Sequence, residues 1–563
     1  MPVSVDYSAA IAAVRSYGEQ LMADFSIPGI SVGLTDRDQL IATIELGYAN
    51  VAKREPVLPA TEFGIGSITK TFTGILMLKL QELGLVDLQR PVVEYLPWFS
   101  VRAKWAPFTL AHLLSHTSGL PNPTMNHMDH TSYIAALANA NTGSEPGTYW
   151  HYSNVGYDIC GVIAEKVTGK PYAALVKEYI FDALGMTESQ GATIDDGRDR
   201  LATGYRNKYG DRPILPEHGI VEAPFYDFND ASGCITSSSR DMTKFLGMLL
   251  NGGAYAGGRI ISEKSFTELI KPRGTAEPGT NYGYGYGLDV PAKEGQTWFG
   301  HDGAMTNYAS GMRGDRNWGV GAVALTNGPW FVIPYLAEYA KNCLHAAIEG
   351  KEMPEPPVLV DPIIKPNWAR TWYGTSGNIE IFIDDDGDLF INDGEIKGKL
   401  KEAAWEELLL DQPGHNLWPL QLALGESAGE PAMLTWGSRV FSSKPLVEPV
   451  ETTPSSPDSS KEIPAELAAV TGHYTSFSPW SGSKRVFLRE GELHIVEADY
   501  IWGEDPEILT PIPAAELDGE TGWFRKGDEP RNPERYRFTT FIDGIPRIIE
   551  DEVGNQWHRH FTA

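Results

Sequence analysis

Residues 64–70 read Gly64-Ile-Gly-Ser67-Ile-Thr-Lys70, and an apolar stretch, Thr71-Phe-Thr-Gly-Ile-Leu-Met-Leu-Lys-Leu80, follows at once. The run predicts a buried helix over 68–83, with a serine and a lysine three residues apart on one face of its first turn. A helix meant for burial has no use for them as solubilising groups. A nucleophilic serine does need such a neighbour: a lysine can take its proton once the amine pKa falls from about 10.4 towards neutrality. The helix N-terminus helps stabilise a developing alkoxide by roughly 0.3 to 1 kcal/mol. Ser-x-x-Lys alone is weak, because Ser481-Gly-Ser-Lys484 repeats it in a serine-rich turn between strands, with no helix to align the pair.

Two further segments give the first copy its weight. Glu145-Pro-Gly-Thr-Tyr-Trp-His-Tyr-Ser-Asn-Val-Gly-Tyr157 places Tyr152-Ser-Asn154 in a loop before a helix. A phenol titrates near pH 10 and works as general base and acid beside positive or desolvated groups, while an asparagine amide both donates and accepts. In Trp298-Phe-Gly-His301-Asp-Gly303-Ala304 a strand reaches a polar stop whose glycine lets backbone approach a substrate.

In that order, Ser67-x-x-Lys70, Tyr152-x-Asn154 and His301-x-Gly303 resemble the three motifs of the serine β-lactamase and penicillin-binding-protein superfamily, in its class C-like branch. Leu110-Ala-His-Leu-Leu-Ser-His-Thr-Ser-Gly-Leu120, Ala231-Ser-Gly-Cys-Ile-Thr-Ser-Ser-Ser-Arg-Asp241 and Tyr282-Gly-Tyr-Gly-Tyr-Gly-Leu288 also look like that branch, so the likeness runs from about residue 20 to 330. The resemblance implies Ser67 as acylated nucleophile, Lys70 as its proton partner and Tyr152 as general base. It implies that Asn154 contacts Lys70 and the substrate amide, and that the Ser67 and Ala304 N–H groups form an oxyanion hole beside Gly303. His301 stands where β-lactamases and many peptidoglycan enzymes carry lysine. A substrate-contacting histidine and a structural one beneath the site are both open readings, and penicillin binding is not expected. His-x-Gly in this slot is familiar from D-aminopeptidases, D-amino-acid amidases and esterases; in the first of these, two antiparallel β-barrels follow the catalytic domain and the last can lend a loop to the site. The expected activity is acyl transfer on a small amide or peptide, then on an ester, then as a β-lactamase or D-alanyl-D-alanine carboxypeptidase. A non-catalytic binding protein is the alternative from outside enzymology.

Rival sites are weaker. Gly425-Glu-Ser427-Ala-Gly429 matches the Gly-x-Ser-x-Gly elbow, yet a strand-like Glu-Pro-Ala-Met-Leu-Thr-Trp436 follows where the elbow needs a helix. Asp384-Asp-Asp-Gly-Asp388 reads as a hairpin turn, lacking the distal glutamate of a calcium loop. His112 and His116, with His127 and His130 nearby, lack the further ligand of a zinc signature, so neither metal nor cofactor is expected. The Tyr-Gly alternation at 282–287 is not followed by the Lys-Ser or Lys-Thr pair of a phosphate loop and reads as a closely packed strand.

Outward from the site, the fold class reads as α+β: an antiparallel sheet flanked by helices, with a helical insertion, followed by two all-β barrel-like domains. Strands are expected within 29–49, 297–300 and 318–325, and helices at 109–115, 156–168, 240–250 and 333–349. Residues 1–350 form the catalytic domain, 351–448 a first barrel, 449–461 a Pro/Ser-rich linker and 462–563 a second barrel. The hairpin at 379–391 after Tyr373-Gly is echoed by that at 485–496 after Gly472-His-Tyr. With 563 residues the chain is long enough for three or four domains. Its 74 acidic residues against 46 basic ones give a formal charge of −28, which repels phosphate backbones and anionic lipid. Nucleic acid and membrane are not expected as partners; a small-molecule amide, peptide or ester is, with room for a homo-dimer. The N-terminus reads as an amphipathic helix and lacks a signal-peptide pattern, so a cytoplasmic location is expected, or a periplasmic or secreted one had an export signal been trimmed. Cys160, Cys234 and Cys343, an odd number in apolar surroundings, read as buried thiols.

Overall fold

The computed structural model describes residues 5–560 except 124–128, 210–214, 275–279, 306, 329–331, 360–362, 376, 404–406, 413–414, 416–417, 425–430, 446–464, 477, 479–481, 498–505 and 518. The rival Ser427, the linker 449–461, His127 and Ser481 lie outside the described residues.

Eight antiparallel strands form the central sheet, in the spatial order Tyr282–Tyr284, Asp289–Pro291, Trp298–Met305, Tyr308–Asp315, Val320–Thr326, Gly29–Asp36, Leu40–Asn50, Glu55–Pro56. Strands from both ends of the first 350 residues meet where Gly29–Asp36 pairs with Val320–Thr326, as the distribution of strand-like runs predicts. One strand was hidden from sequence reading. Tyr308–Asp315 carries Gly311 and Gly314, which break the period-two signal because Pro334 and the Phe299 ring lie against their Cα atoms and leave no room for a side chain.

Side chains alternate across this sheet into two cores. Ile30, Val32, Leu34, Ile44, Leu46, Val320, Ala322 and Ala324 pack beneath the helices Ser8–Phe25 and Ile333–Glu349. Met312, Val323, Leu325 and Phe299 face the helical block inserted between residues 64 and 270. At the centre of that block lies the helix Thr69–Glu82, buried all round over its first turns, with Phe72 stacked on Phe245 at 3.8 Å between ring centroids. A helix buried on every side over its first turns has to be central, and its buried Thr69, Lys70, Thr71 and Thr73 must find their partners inside the protein.

Past residue 370, two closed eight-stranded antiparallel barrels follow, with strands from 370 to 442 and from 472 to 559. Each starts from the hairpin expected at its head: Ile379–Ile383 with Leu389–Asn392, and Lys484–Arg489 with Glu492–Glu497. Asp384 closes the first turn by accepting the Asp386 and Asp388 N–H groups. The three cysteines are buried, free thiols. No helix among the described residues is long and apolar enough to cross a membrane.

Candidate active site

A 3₁₀ turn, Gly66–Ile68, delivers Ser67 to the start of the helix Thr69–Glu82. Residues three apart eclipse in such a turn, so Lys70 Nζ reaches Ser67 Oγ at 2.9 Å. From the loop before the helix Asn154–Thr168, Tyr152 donates its hydroxyl to the same oxygen at 2.8 Å. Three distant stretches thus converge once Trp298–Met305 is added: Gly66 has φ +50°, and a Cβ there would lie 2.5 Å from Ala304 N. Only glycine permits both that dihedral and that approach. Gly303 is equally constrained, for a Cβ would lie 2.0 Å from the Ile65 carbonyl oxygen. The Ala304 N–H and the Ser67 turn are therefore in direct apposition, as an oxyanion hole requires.

Electrostatics separate the two proton-bearing neighbours of Ser67. Burial, opposed by the charges of Asp158 and Asp230, pushes the Lys70 amine down to about 7. Its ammonium lies over the rings of Tyr152, 4.9 Å from the centroid, and Tyr157, 5.7 Å. Burial pushes the Tyr152 phenol well above its ordinary value, only partly offset by its bond to Ser67, with Asp289, Asp302 and Asp158 adding to the rise. At neutral pH the lysine is the group that readily exists as a free base; the phenol keeps its proton.

One expectation changes here, and the surroundings of His301 become defined. Among the described residues, Lys70 bonds to Ser67 and, at 2.7 Å, to the Ser232 carbonyl, not to Asn154. Asn154 instead opens its helix with its backbone N–H donated to Asn122 Oδ1 at 2.8 Å. His301 is 4% exposed. Its Nδ1 bonds the Asp302 carbonyl at 2.6 Å and its Nε2 pairs with the Tyr284 hydroxyl at 2.9 Å. Burial, with the Lys70 charge, lowers it to about 4. A neutral imidazole with both nitrogens engaged supplies no fixed cation.

The Tyr152 loop is gripped from two sides; the resemblance allowed for a loop from the last barrel, but neither His116 nor Glu534 was singled out for this role in the sequence. From within, His116 accepts the His151 N–H on its carbonyl at 2.8 Å and the Ser153 N–H on Nδ1 at 3.1 Å, with its ring 4.4 Å from that of Tyr152. From without, the second barrel contributes Glu534, whose Oε1 accepts the Asn122 N–H at 2.6 Å and bonds His151 Nε2 at 3.0 Å. Burial pulls that carboxyl up, but His151 and Asn122 hold it below its ordinary range. Arg531 of the same loop lies 4.6 Å from the Tyr149 ring centroid. The competing lysine of the second Ser-x-x-Lys copy, Lys484, is consumed inside its barrel by an ion pair with Glu497 and by the Trp557 ring at 4.4 Å.

A profile of the family described as Beta-lactamase matches residues 14–331. "Protein flp" of Staphylococcus aureus is 26% identical over 325 residues, which cover 56% of this chain and 62% of that protein. "Penicillin-binding protein 4*" of Bacillus subtilis is 27% identical over 284 residues, covering 47% of this chain and 60% of that one. The chain therefore spans about three-fifths of the length of these curated relatives. Among solved structures, the D-amino acid amidase from Ochrobactrum anthropi SV3, complexed with L-phenylalanine amide, aligns with TM-score 0.50 and 26% identity over 61% of this chain and 99% of that one. The octameric penicillin-binding protein homologue from Pyrococcus abyssi aligns with TM-score 0.55 and 24% identity over 77% and 99%, a likeness of fold.

Proposed function

Because the chain belongs to the beta-lactamase and penicillin-binding-protein superfamily, we propose that it is a serine hydrolase working through an acyl-enzyme on small amides or peptides, in the manner of a D-amino-acid amidase or D-aminopeptidase. The observation that carries this reading is the pair of bonds on Ser67 Oγ, from Lys70 at 2.9 Å and Tyr152 at 2.8 Å, with the lysine wholly buried. Ser67 attacks the substrate carbonyl, forming the C–O bond as its proton passes to the free amine of Lys70. The oxyanion rests on the Ser67 and Ala304 N–H groups, each worth about 3 to 4 kcal/mol where such donors have been removed from hydrolases. Collapse breaks the C–N bond as the leaving amine takes a proton from the Tyr152 phenol, which is refilled from the Lys70 ammonium. Water then repeats the sequence on the ester. We thus assign the base role to Lys70 and the donor role to Tyr152, since burial favours the protonated phenol.

An amide substrate is favoured over a penicillin because neutral His301 offers a carboxylate no cation. The similarity to the D-amino acid amidase supports the same choice. An esterase is the second reading, favoured by the same neutral slot. A fluorophosphonate probe tests the proposal: it should label the native chain and not Ser67→Ala, whereas absence of label from both would mean a binding protein with an inert site. Turnover of D-alanine amides, short-chain esters and a chromogenic cephalosporin then ranks the substrate classes, and a preference for the cephalosporin would overturn the amide reading.

A further inference from the structure

Behind Lys70 lies a pair of carboxylates that the acyl-transfer scheme leaves unused. Asp158 interrupts the buried run of the helix Asn154–Thr168, between Tyr157 and Ile159; Asp230 stands two residues before Ser232, and each is 1% exposed. Both converge on one residue. The Ser232 N–H is 3.1 Å from Asp158 Oδ1 and 3.2 Å from Asp230 Oδ1, and the Ser232 hydroxyl donates to the latter at 2.9 Å. The carbonyl of that same serine accepts from Lys70 at 2.7 Å. The second oxygens, Asp158 Oδ2 and Asp230 Oδ2, are buried with no hydrogen-bond partner among the described residues.

Two buried carboxylates and one buried ammonium do not balance. Like charges sharing a site of low dielectric resist joint ionisation, so such a pair retains a proton and titrates as a unit. Burial pushes the Asp158 carboxyl well above its ordinary range, with repulsion from Asp230 adding to it, and pushes Asp230 up to about 6. The other titratable groups nearby are Tyr152, Tyr157, His116 and His301 around Lys70, and Tyr133, Tyr172, Cys160, Cys234 and His130 around the carboxylates. Burial keeps the phenols and thiols protonated and the His116 and His301 rings uncharged. The acids that act on Lys70 are Asp158 and Asp230.

We propose that Asp158 and Asp230 are a proton-sharing pair of positioning residues, holding the Ser232 carbonyl on Lys70 and setting, by their own charge, the pH at which that lysine becomes a free base. The proposal rests on the reading of Lys70 as proton acceptor for Ser67. While the pair carries a negative charge it favours the ammonium; once that charge is removed, the free amine persists to lower pH.

The rate at which a fluorophosphonate labels Ser67 in the full chain, followed from about pH 5 to 9, reads this directly. In the wild type the rate should rise through about pH 7 as Lys70 loses its proton. In the double variant Asp158→Asn/Asp230→Asn, which keeps the shape and an acceptor for the Ser232 N–H but removes the pair's one negative charge, the limb should move down by about one pH unit with the plateau within about threefold, whereas either single substitution leaves one ionised carboxylate and should move it far less. A limb that stays in place in the double variant overturns the proposal, while failure of the wild type to label overturns the hydrolase reading instead. A second readout does not depend on activity. Infrared pH-difference spectra of the wild type should contain a carboxylic C=O stretch, persisting to near-neutral pH, that is missing from Asp158→Asn or Asp230→Asn. Spectra that neither substitution alters would mean the pair is fully ionised, and the proposal fails.

Discussion

In the first barrel Trp372 donates its indole N–H to the Trp368 carbonyl, four residues back in the short helix that precedes it, at 3.0 Å. In the second, Tyr474 donates its hydroxyl to the Val470 carbonyl at the same spacing, 2.7 Å, from the helix Ala465–Val470. Both rings are fully buried and anchor the core of a closed eight-stranded barrel. The resemblance stops where the barrels meet the catalytic domain. The first touches it through Lys401 and Glu217, 2.8 Å apart with side chains 37% and 53% exposed, and through Ala403 and Leu409 packed on Leu215. The second contributes two less exposed carboxylates, Glu552 with 5% of its side chain exposed and Glu534 with 18%. Glu534 binds Asn122 and His151, and Glu552 accepts the Asn141 backbone at 3.0 Å and its side chain at 2.8 Å while paired with Arg535 at 3.0 Å. A water-screened ion pair fixes little. A carboxylate largely withdrawn from water fixes more, because losing a partner leaves its charge poorly solvated. Among the described residues, the second barrel therefore bonds to the loop that carries Tyr152, and the first meets the N-terminal domain through an exposed ion pair and a small apolar cluster.

This contrast can be broken by substitution. Glu534→Ala strands the Asn122 N–H and His151 beside Tyr152; turnover should fall about 100-fold with KM changing far less, and the urea midpoint should correspond to a loss of about 3 kcal/mol. Unchanged turnover would make the second barrel a passive neighbour. Glu552→Gln lies farther from the nucleophile and keeps one acceptor, so a loss of about 1 to 2 kcal/mol in denaturant titrations, with turnover within a few-fold, is expected. Lys401→Ala in the first barrel should cost no more than about 0.5 kcal/mol and leave turnover untouched. A larger effect there than at Glu552 would reverse the assignment of roles.

The sequence carries Ser67 and its two proton-bearing neighbours because side-chain chemistry at fixed spacing is what a motif records. Ser67 and Lys70 needed one turn of helix, and Tyr152 a loop before another. The groups it hid act through backbone or across domains. The Ser232 carbonyl is an acceptor any residue would supply, and Glu534 lies 382 positions from Tyr152 in a stretch with no marker of its own. Asp158 did leave a trace: an acid inside Val155-Gly-Tyr-Asp-Ile-Cys-Gly-Val-Ile163 breaks the apolar face of its helix, and burying such a group demands a reason. Tyr308–Asp315 escaped for the opposite cause, its glycines erasing the alternation that marks a strand.

The arrangement of strand edges has a bearing on how this chain survives at high concentration. A sheet recruits a stranger through a long, bare flank of unpaired amides. Here the central sheet ends in a three-residue strand, Tyr282–Tyr284, on one side and a two-residue strand, Glu55–Pro56, on the other, and both barrels close on themselves. Glu55–Pro56 covers only Tyr48 and Asn50 of the eleven-residue strand Leu40–Asn50, so among the described strands the stretch from Leu40 to Leu46, paired on its inner side alone, is the flank along which a neighbour could add a strand.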